Sequence, residues 1–252
     1  MKKTILILLV VFISFISCEK DPLLDAEGAY PLSKHKIAEV VFVELSKGNM
    51  YIPAGNINGN PFNIQLSFSI NNNLWFYDSI YTNHAGIQYK IQTLKYILSD
   101  IYVHKYYDEI AGISFTMGLS KEKNISNSYV NEVFHPTMFW PDLIGGGYHY
   151  MKLEGTAYAT DTIFYNTHTG GTNGNDYSFH KHLTINPRKH VVNTTRYNNQ
   201  MWSYITLNMD LSKWYYNPNT INFEGSIMQN EQRQQQLKEN GELDVFSIIE
   251  HQ

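Results

Sequence analysis

An antiparallel all-β domain, built as a sandwich with a short C-terminal helix, is the fold this sequence predicts, and three observations carry it. About eight segments alternate apolar and polar residues with the two-residue period of a half-buried strand. Turns rich in Gly, Asn and Pro separate them without the strand–helix–strand rhythm of a parallel sheet. Aromatic residues make up 14% of the chain, 19 of them tyrosine, which suits strands better than helices. At 252 residues, 43% apolar and only 17% charged, the chain is long enough for one packed core.

The chain opens Met1-Lys2-Lys3, followed by an apolar run from Ile5 to Ile16 that only Ser14 interrupts. A basic start, a short apolar stretch and small residues at its end describe an export signal, residues 1–17, too short to remain as a membrane span. Cys18 is the only cysteine, and Ile16-Ser17-Cys18 resembles the lipobox of a bacterial lipoprotein. Acylated Cys18 would then be the first mature residue and the anchor to an outer membrane, on its periplasmic or cell-surface face. The folded part would hold no thiol, which excludes disulfides, iron–sulfur clusters, thiolate zinc and a cysteine nucleophile. Residues 18–35 are polar and read as a tether, so that the domain proper is 36–252. Without Lys2 and Lys3 the balance is 17 basic against 23 acidic residues, with no concentrated basic face for nucleic acid.

Ile37–Leu45 reads as the first strand, and Gly55–Pro61 as a loop by composition. Asn63–Ile70 alternates without a fault, with Ile64, Leu66, Phe68 and Ile70 inward and Asn63, Gln65, Ser67 and Ser69 outward. After a turn at Asn71–Asn73, the aromatic stretch Leu74–Tyr81 reads as extended. Gln88–Val103 also fits a helical period, but its β-branched and aromatic content predicts a strand. Ile113–Met117 is a short strand, and Lys121–Val133 a polar surface excursion. Tyr177–Ile185 places Phe179, Leu183 and Ile185 on one face and His180 and His182 on the other, where the two imidazoles offer half of a metal site. Ser203–Leu211 is another core strand. The tail, about 227–252, holds a helix: Asn230 is suited to cap it, Glu231–Glu239 are mostly good helix formers, and Asn240-Gly241 ends it. With Leu237 alone apolar inside, this helix is expected on the surface, pinned by Met228, Val245 and Phe246.

The chemistry concentrates between His135 and Gly171. His135, His149, His168, Met138 and Trp140 fall within that stretch, among glycines that permit tight turns. Strict alternation over Tyr148–Glu154 puts His149, Met151 and Leu153 on one face and Tyr148, Tyr150, Lys152 and Glu154 on the other. Imidazole and thioether are ligands that a soft ion such as Cu(I) favours. No Gly-x-Ser-x-Gly, His-Glu-x-x-His, phosphate-loop or dinucleotide motif is present, and a carboxylate pair of Glu154 with Asp142 or Asp161 has nothing to support it. Enzyme is therefore the less favoured class.

The run M-F-W-P-D-L-I-G-G-G-Y-H-Y-M-K-L-E-G at Met138–Gly155, followed by H-T-G-G, resembles the copper-binding MbnP-like family associated with methanobactin. Three blocks agree: L-K-Y-I-L-S-D-I at Leu94–Ile101, G-I-S-F-T-M-G-L at Gly112–Leu119, and I-M-Q-N with N-G-E-L-D-V-F near the C-terminus. The resemblance covers about residues 62 to 248 and implies a β-sandwich-like domain that binds copper, Cu(I) above all, through His149 and His168 beside Trp140. It further implies oxidation of that tryptophan to kynurenine, with a dihaem peroxidase-like partner. Relatives often carry Trp-x-Trp here; in this chain the second Trp is Asp142, which offers an acceptor to orient an imidazole.

A different reading is a surface module for glycans or peptides, with Trp75, Tyr106, Tyr107, Trp214 and Tyr215 as stacking platforms. Geometry separates the two, because histidines sharing an ion lie within about 8 Å of each other.

Overall fold

The computed structural model describes residues 33–45, 50–57, 59–106, 109–186, 192–197 and 199–249. The stretch read as an export signal, Cys18 and the expected tether as far as residue 32 lie outside them. Among the described residues the strands are β1 (Ser33–Glu44), β2 (Met50–Ile57), β3 (Asn60–Ile70), β4 (Asn73–Leu74), β5 (Tyr81–Thr82), β6 (Gln88–Tyr106) and β7 (Glu109–Met117). A single helical turn, α1 (His135–Met138), precedes β8 (His149–Tyr158), β9 (Thr162–Gly170), β10 (Phe179–Thr184), β11 (Asn193–Tyr197) and β12 (Gln200–Asp210). The chain closes with α2 (Glu231–Asn240), a π-type turn, and β13 (Phe246–Ile248).

Two curled sheets enclose the core, as the alternation predicts. One has the order β10-β7-β6-β8-β9, with β1 and β5 also on β6; the other has β11-β12-β3-β2, with β13 on β12 and β4 on β3. Ile64, Leu66, Ile205 and Leu207 of the second sheet meet Leu94, Leu98, Met151 and Leu153 of the first in one hydrophobic core. The ambiguous segment is indeed a strand. β6 is the spine of its sheet, pairing with β8 through its first half and with β7 through its second, while β1 runs along its other edge.

The fold departs from the sequence pattern at several points. β1 starts at Ser33, so Ser33–His35, assigned to the tether, are paired opposite Lys105–Val103. Most of the expected loop Gly55–Pro61 is a β2–β3 hairpin, and Leu74–Tyr81 is mainly turns between two short bridging strands. β3 pairs with β12 in parallel, the one departure from antiparallel order among the described strands. Its outward polar side chains are not all solvated: Ser69 accepts from Asn208 Nδ2 at 2.8 Å and Gln65 from Thr206 Oγ1 at 3.1 Å, so the face alternates in polarity but not in exposure. Trp214 and Tyr215, offered above as platforms, are core residues, because a 3-10 turn at Leu211–Tyr215 rolls both under the sheets. Trp75 and Tyr106 are only half-exposed, and Tyr107 lies outside the described residues.

α2 is capped as expected, Asn230 Oδ1 accepting from Arg233 N at 3.1 Å, but it is not a surface decoration. Gln234, Leu237 and Asn240 are all fully buried along one stripe.

The excursion between β7 and β8 does most to shape the functional region. It folds back over the outer face of the first sheet and builds a second, smaller core there from Ile97, Leu119, Phe134, Met138 and Tyr148. Asn124 and Ser126 tie it down, accepting from the backbone N–H groups of Tyr148 and Gly147 at 2.8 Å each.

Candidate metal centre

Strict alternation along β8 would point His149 toward the main core with Met151. A β-bulge prevents this. His149 lies opposite Gly170, whereas Met151 lies opposite Thr169 and Lys152 opposite His168, so Tyr150 is the extra residue. Gly170 and His168 are two apart on β9 and share a face, and cross-strand partners share a face too. The bulge therefore turns His149 onto the outer face, with His168, Lys152 and Glu154.

There the imidazoles of His149 and His168 meet edge-on, ring centres 5.0 Å apart. Trp140 packs against His149 from the other side, ring centres 4.5 Å apart at 71°. Two glycines make room for the indole. A Cβ on Gly170 would stand 2.8 Å from Trp140 Cε3, and one on Gly145 (φ 141°) would sit 3.2 Å from Trp140 Nε1 and collide with the Gly171 carbonyl. Trp140 is wholly buried and His149 nearly so, while His168 sits at the margin beside the half-exposed Glu154.

The hydrogen bonds decide which nitrogens remain. His149 Nδ1 faces the Met138 carbonyl at 3.1 Å. A carbonyl only accepts, so Nδ1 carries the proton and Nε2 the lone pair. Burial first, then the Lys152 ammonium and His168, depress the His149 pKa to about 3, so the ring is neutral. His168 Nε2 lies 2.7 Å from Glu154 Oε1. The hydrogen bond from His168 holds Glu154 below the usual carboxylate range, and the ionised carboxylate accepts from Nε2–H. The neutral tautomer this selects has its lone pair on Nδ1. His149 Nε2 and His168 Nδ1 are both buried without a hydrogen-bond partner.

Two orphaned ring nitrogens, each on an imidazole whose other nitrogen is held by a carbonyl or a carboxylate, form the support expected around a metal-binding histidine. The spacing also fits. An ion about 2 Å from one nitrogen of each ring places the ring centres roughly 4.5 Å apart when the ligands meet at a right angle and roughly 6.3 Å apart when they are opposed. The observed 5.0 Å corresponds to a bent pair. No cluster of three or more His, Cys, Asp or Glu suited to an ion occurs among the described residues; the two imidazoles stand as a pair.

The remaining candidates lie elsewhere. His135 is bonded through Nδ1 to the Tyr148 hydroxyl at 2.9 Å and packs against Phe139. The Met138 side chain is buried in the smaller core, and its shown contact with the pair is through its carbonyl. Asp142 does not orient an imidazole: it is exposed and accepts from Ser126 Oγ. Glu154 takes that role instead. The pattern gave no reason to choose it, because its proximity to His168 depends on the register between β8 and β9.

Gln234 is the other residue that pattern alone misses. β9 is the last strand on its side of the sheet, and its free edge carries His168 and Gly170. From α2, the Gln234 amide donates to the His168 carbonyl at 2.8 Å and accepts from Gly170 N at 3.2 Å. One side chain thus replaces the missing neighbouring strand. Nothing in a helix of Glu, Gln, Arg and Lys marks that position.

No curated protein and no solved structure matches the chain. A family model described as MbnP matches residues 103–234, just over half of the chain, and that span holds Trp140, His149, His168, Glu154 and Gln234. On that match the chain belongs to the MbnP family, which is associated with methanobactin and copper.

Proposed function

We propose that this protein is an exported lipoprotein that binds copper as Cu(I) through His149 and His168, shielded by Trp140, and that binding rather than catalysis is its role. The observation that carries the reading is the pair of buried, unpartnered nitrogens, His149 Nε2 and His168 Nδ1, on rings whose centres are 5.0 Å apart. Imidazole suits copper, whereas zinc needs a four-ligand shell that water must complete where the protein supplies too few donors. A dry two-histidine site therefore suits Cu(I) better.

Each neighbour has a defined part. The Met138 carbonyl and the Glu154 carboxylate hold the tautomers that leave lone pairs free, and the Glu154 charge favours a cation nearby. Trp140 keeps water from His149. An oxidising partner of the dihaem peroxidase type would act on Trp140 through intervening protein, since the indole has no exposed surface. Cys18, acylated, would tether the domain to the outer membrane.

Titration of the purified protein with Cu(I) against a competing chelator tests this reading. One equivalent is expected to bind, and His149→Ala and His168→Ala should each abolish tight binding. Failure to bind one equivalent, or binding unchanged in the double variant, would sink the assignment.

A further inference from the structure

The His-x-His pair on β10 has a partner that the sequence does not reveal. β7 runs between β6 and β10; His104 of β6 lies opposite Gly112, and His182 of β10 lies opposite Ser114. Because residue 112 has no side chain, the His182 ring leans across it: a Cβ there would come within 3.4 Å of His182 Nε2. The two imidazoles meet with ring centres 4.6 Å apart. This cluster shares the outer sheet face with His149 and His168 but sits at the far end of β6. From Lys95, level with Lys152 and His168, to His104 is nine residues, about 30 Å of extended strand.

We propose that His104 and His182 form a second, water-accessible site for a divalent cation of the Zn(II) or Cu(II) class. The 4.6 Å separation of the ring centres corresponds to two imidazoles meeting one ion at roughly a right angle. With Nε2–H donating to Ser114 Oγ at 2.8 Å, His104 keeps its lone pair on Nδ1 for the ion. His104 is neutral at physiological pH: burial, with His182, Lys34 and His180 nearby, depresses its pKa to about 4. Lys34, opposite His104 on β1, is the cation closest in register, and its ammonium is engaged 3.8 Å over the Tyr102 ring. His180 and His182 are exposed, so water can complete the coordination that two histidines leave open. The dry pair under Trp140 lacks that option, and the two sites should therefore prefer different ions.

The His149→Ala/His168→Ala variant of the whole protein isolates the second site from the first. Calorimetric titration with zinc chloride should show one equivalent bound. His182→Ala and His104→Ala should each weaken it at least about tenfold, and His180→Ala by less than about threefold. The side-chain NMR resonances of His104 and His182 should shift together on adding zinc, which keeps the proposal open to refutation even where His104→Ala disturbs folding. Absence of binding at millimolar zinc, binding that follows His180, or unchanged binding in His182→Ala would each overturn it. None of these outcomes depends on whether the first site takes Cu(I).

Discussion

His149 is neutral because the fold keeps it so, and that has a consequence for stability. Its pKa in the folded chain is about 3, against about 6.5 when unfolded, so between those values the unfolded chain binds the extra proton. Stability should therefore be full above about pH 6.5 and fall with decreasing pH toward 3, by up to about 1.4 kcal/mol per pH unit from this residue. Chemical denaturation of the metal-free protein at pH 7, 5 and 4 would show the slope, and it should be shallower in His149→Gln; an identical slope would mean that His149 is not the group being protonated. Trp140→Phe should weaken Cu(I) binding about tenfold if the indole only shields the ion, equivalent to about 1.4 kcal/mol. A loss of several hundredfold, together with a mass shift on Trp140 in the native protein, would show that its oxidised form supplies a ligand. An unchanged affinity would reduce Trp140 to a packing residue. The histidines and the tryptophan were legible as candidates from residue type and family resemblance. Glu154 and the Met138 carbonyl were not, since a carboxylate and a backbone oxygen acquire their roles only by lying next to a ring nitrogen.

At the scale of elements, the bulge at Tyr150 and the buried stripe of α2 matter most. Alternation assigned His149 to the wrong side of β8 because a single unpaired residue inverts every side chain beyond it. The sequence places the helix on the surface, pinned by Met228, Val245 and Phe246. Phe246 is buried and Met228 only half-buried, yet Gln234, between them, holds the backbone of His168 and Gly170. Gln234→Leu would take the partner from the His168 and Ile227 carbonyls and the Gly170 N–H, at about 1–3 kcal/mol for each buried group. We expect it to lower stability by at least that amount and to weaken Cu(I) binding as β9 shifts. Truncation after Ser226 should do both more severely, since it also removes Leu237, Val245 and Phe246 from the core. Full affinity in Gln234→Leu, measured by the same chelator competition, would show that β9 holds its register without the helix.

For the whole molecule, the anchor is the first test. Cys18→Ala should move the protein from the membrane to the soluble fraction, because no other thiol exists to be acylated. A variant that still sediments with membranes would place the attachment elsewhere. Sequence alone determined that this is an all-β domain: strand periodicity is local, and a two-residue alternation of Ile, Leu and Phe with Ser, Asn and Gln leaves no other way to bury the apolar half. It also determined the boundaries of α2 to within a residue, since an Asn cap acts on backbone groups three positions away. What it could not determine are relations between segments distant along the chain. These are the parallel pairing of β3 with β12, the burial of Trp214 and Tyr215, the meeting of His104 with His182, and the clamp of Gln234 on β9. Each depends on register and packing between chains of atoms that no local pattern couples. The tertiary structure settled them because only there do backbone groups and rings compete for the same few ångströms of space.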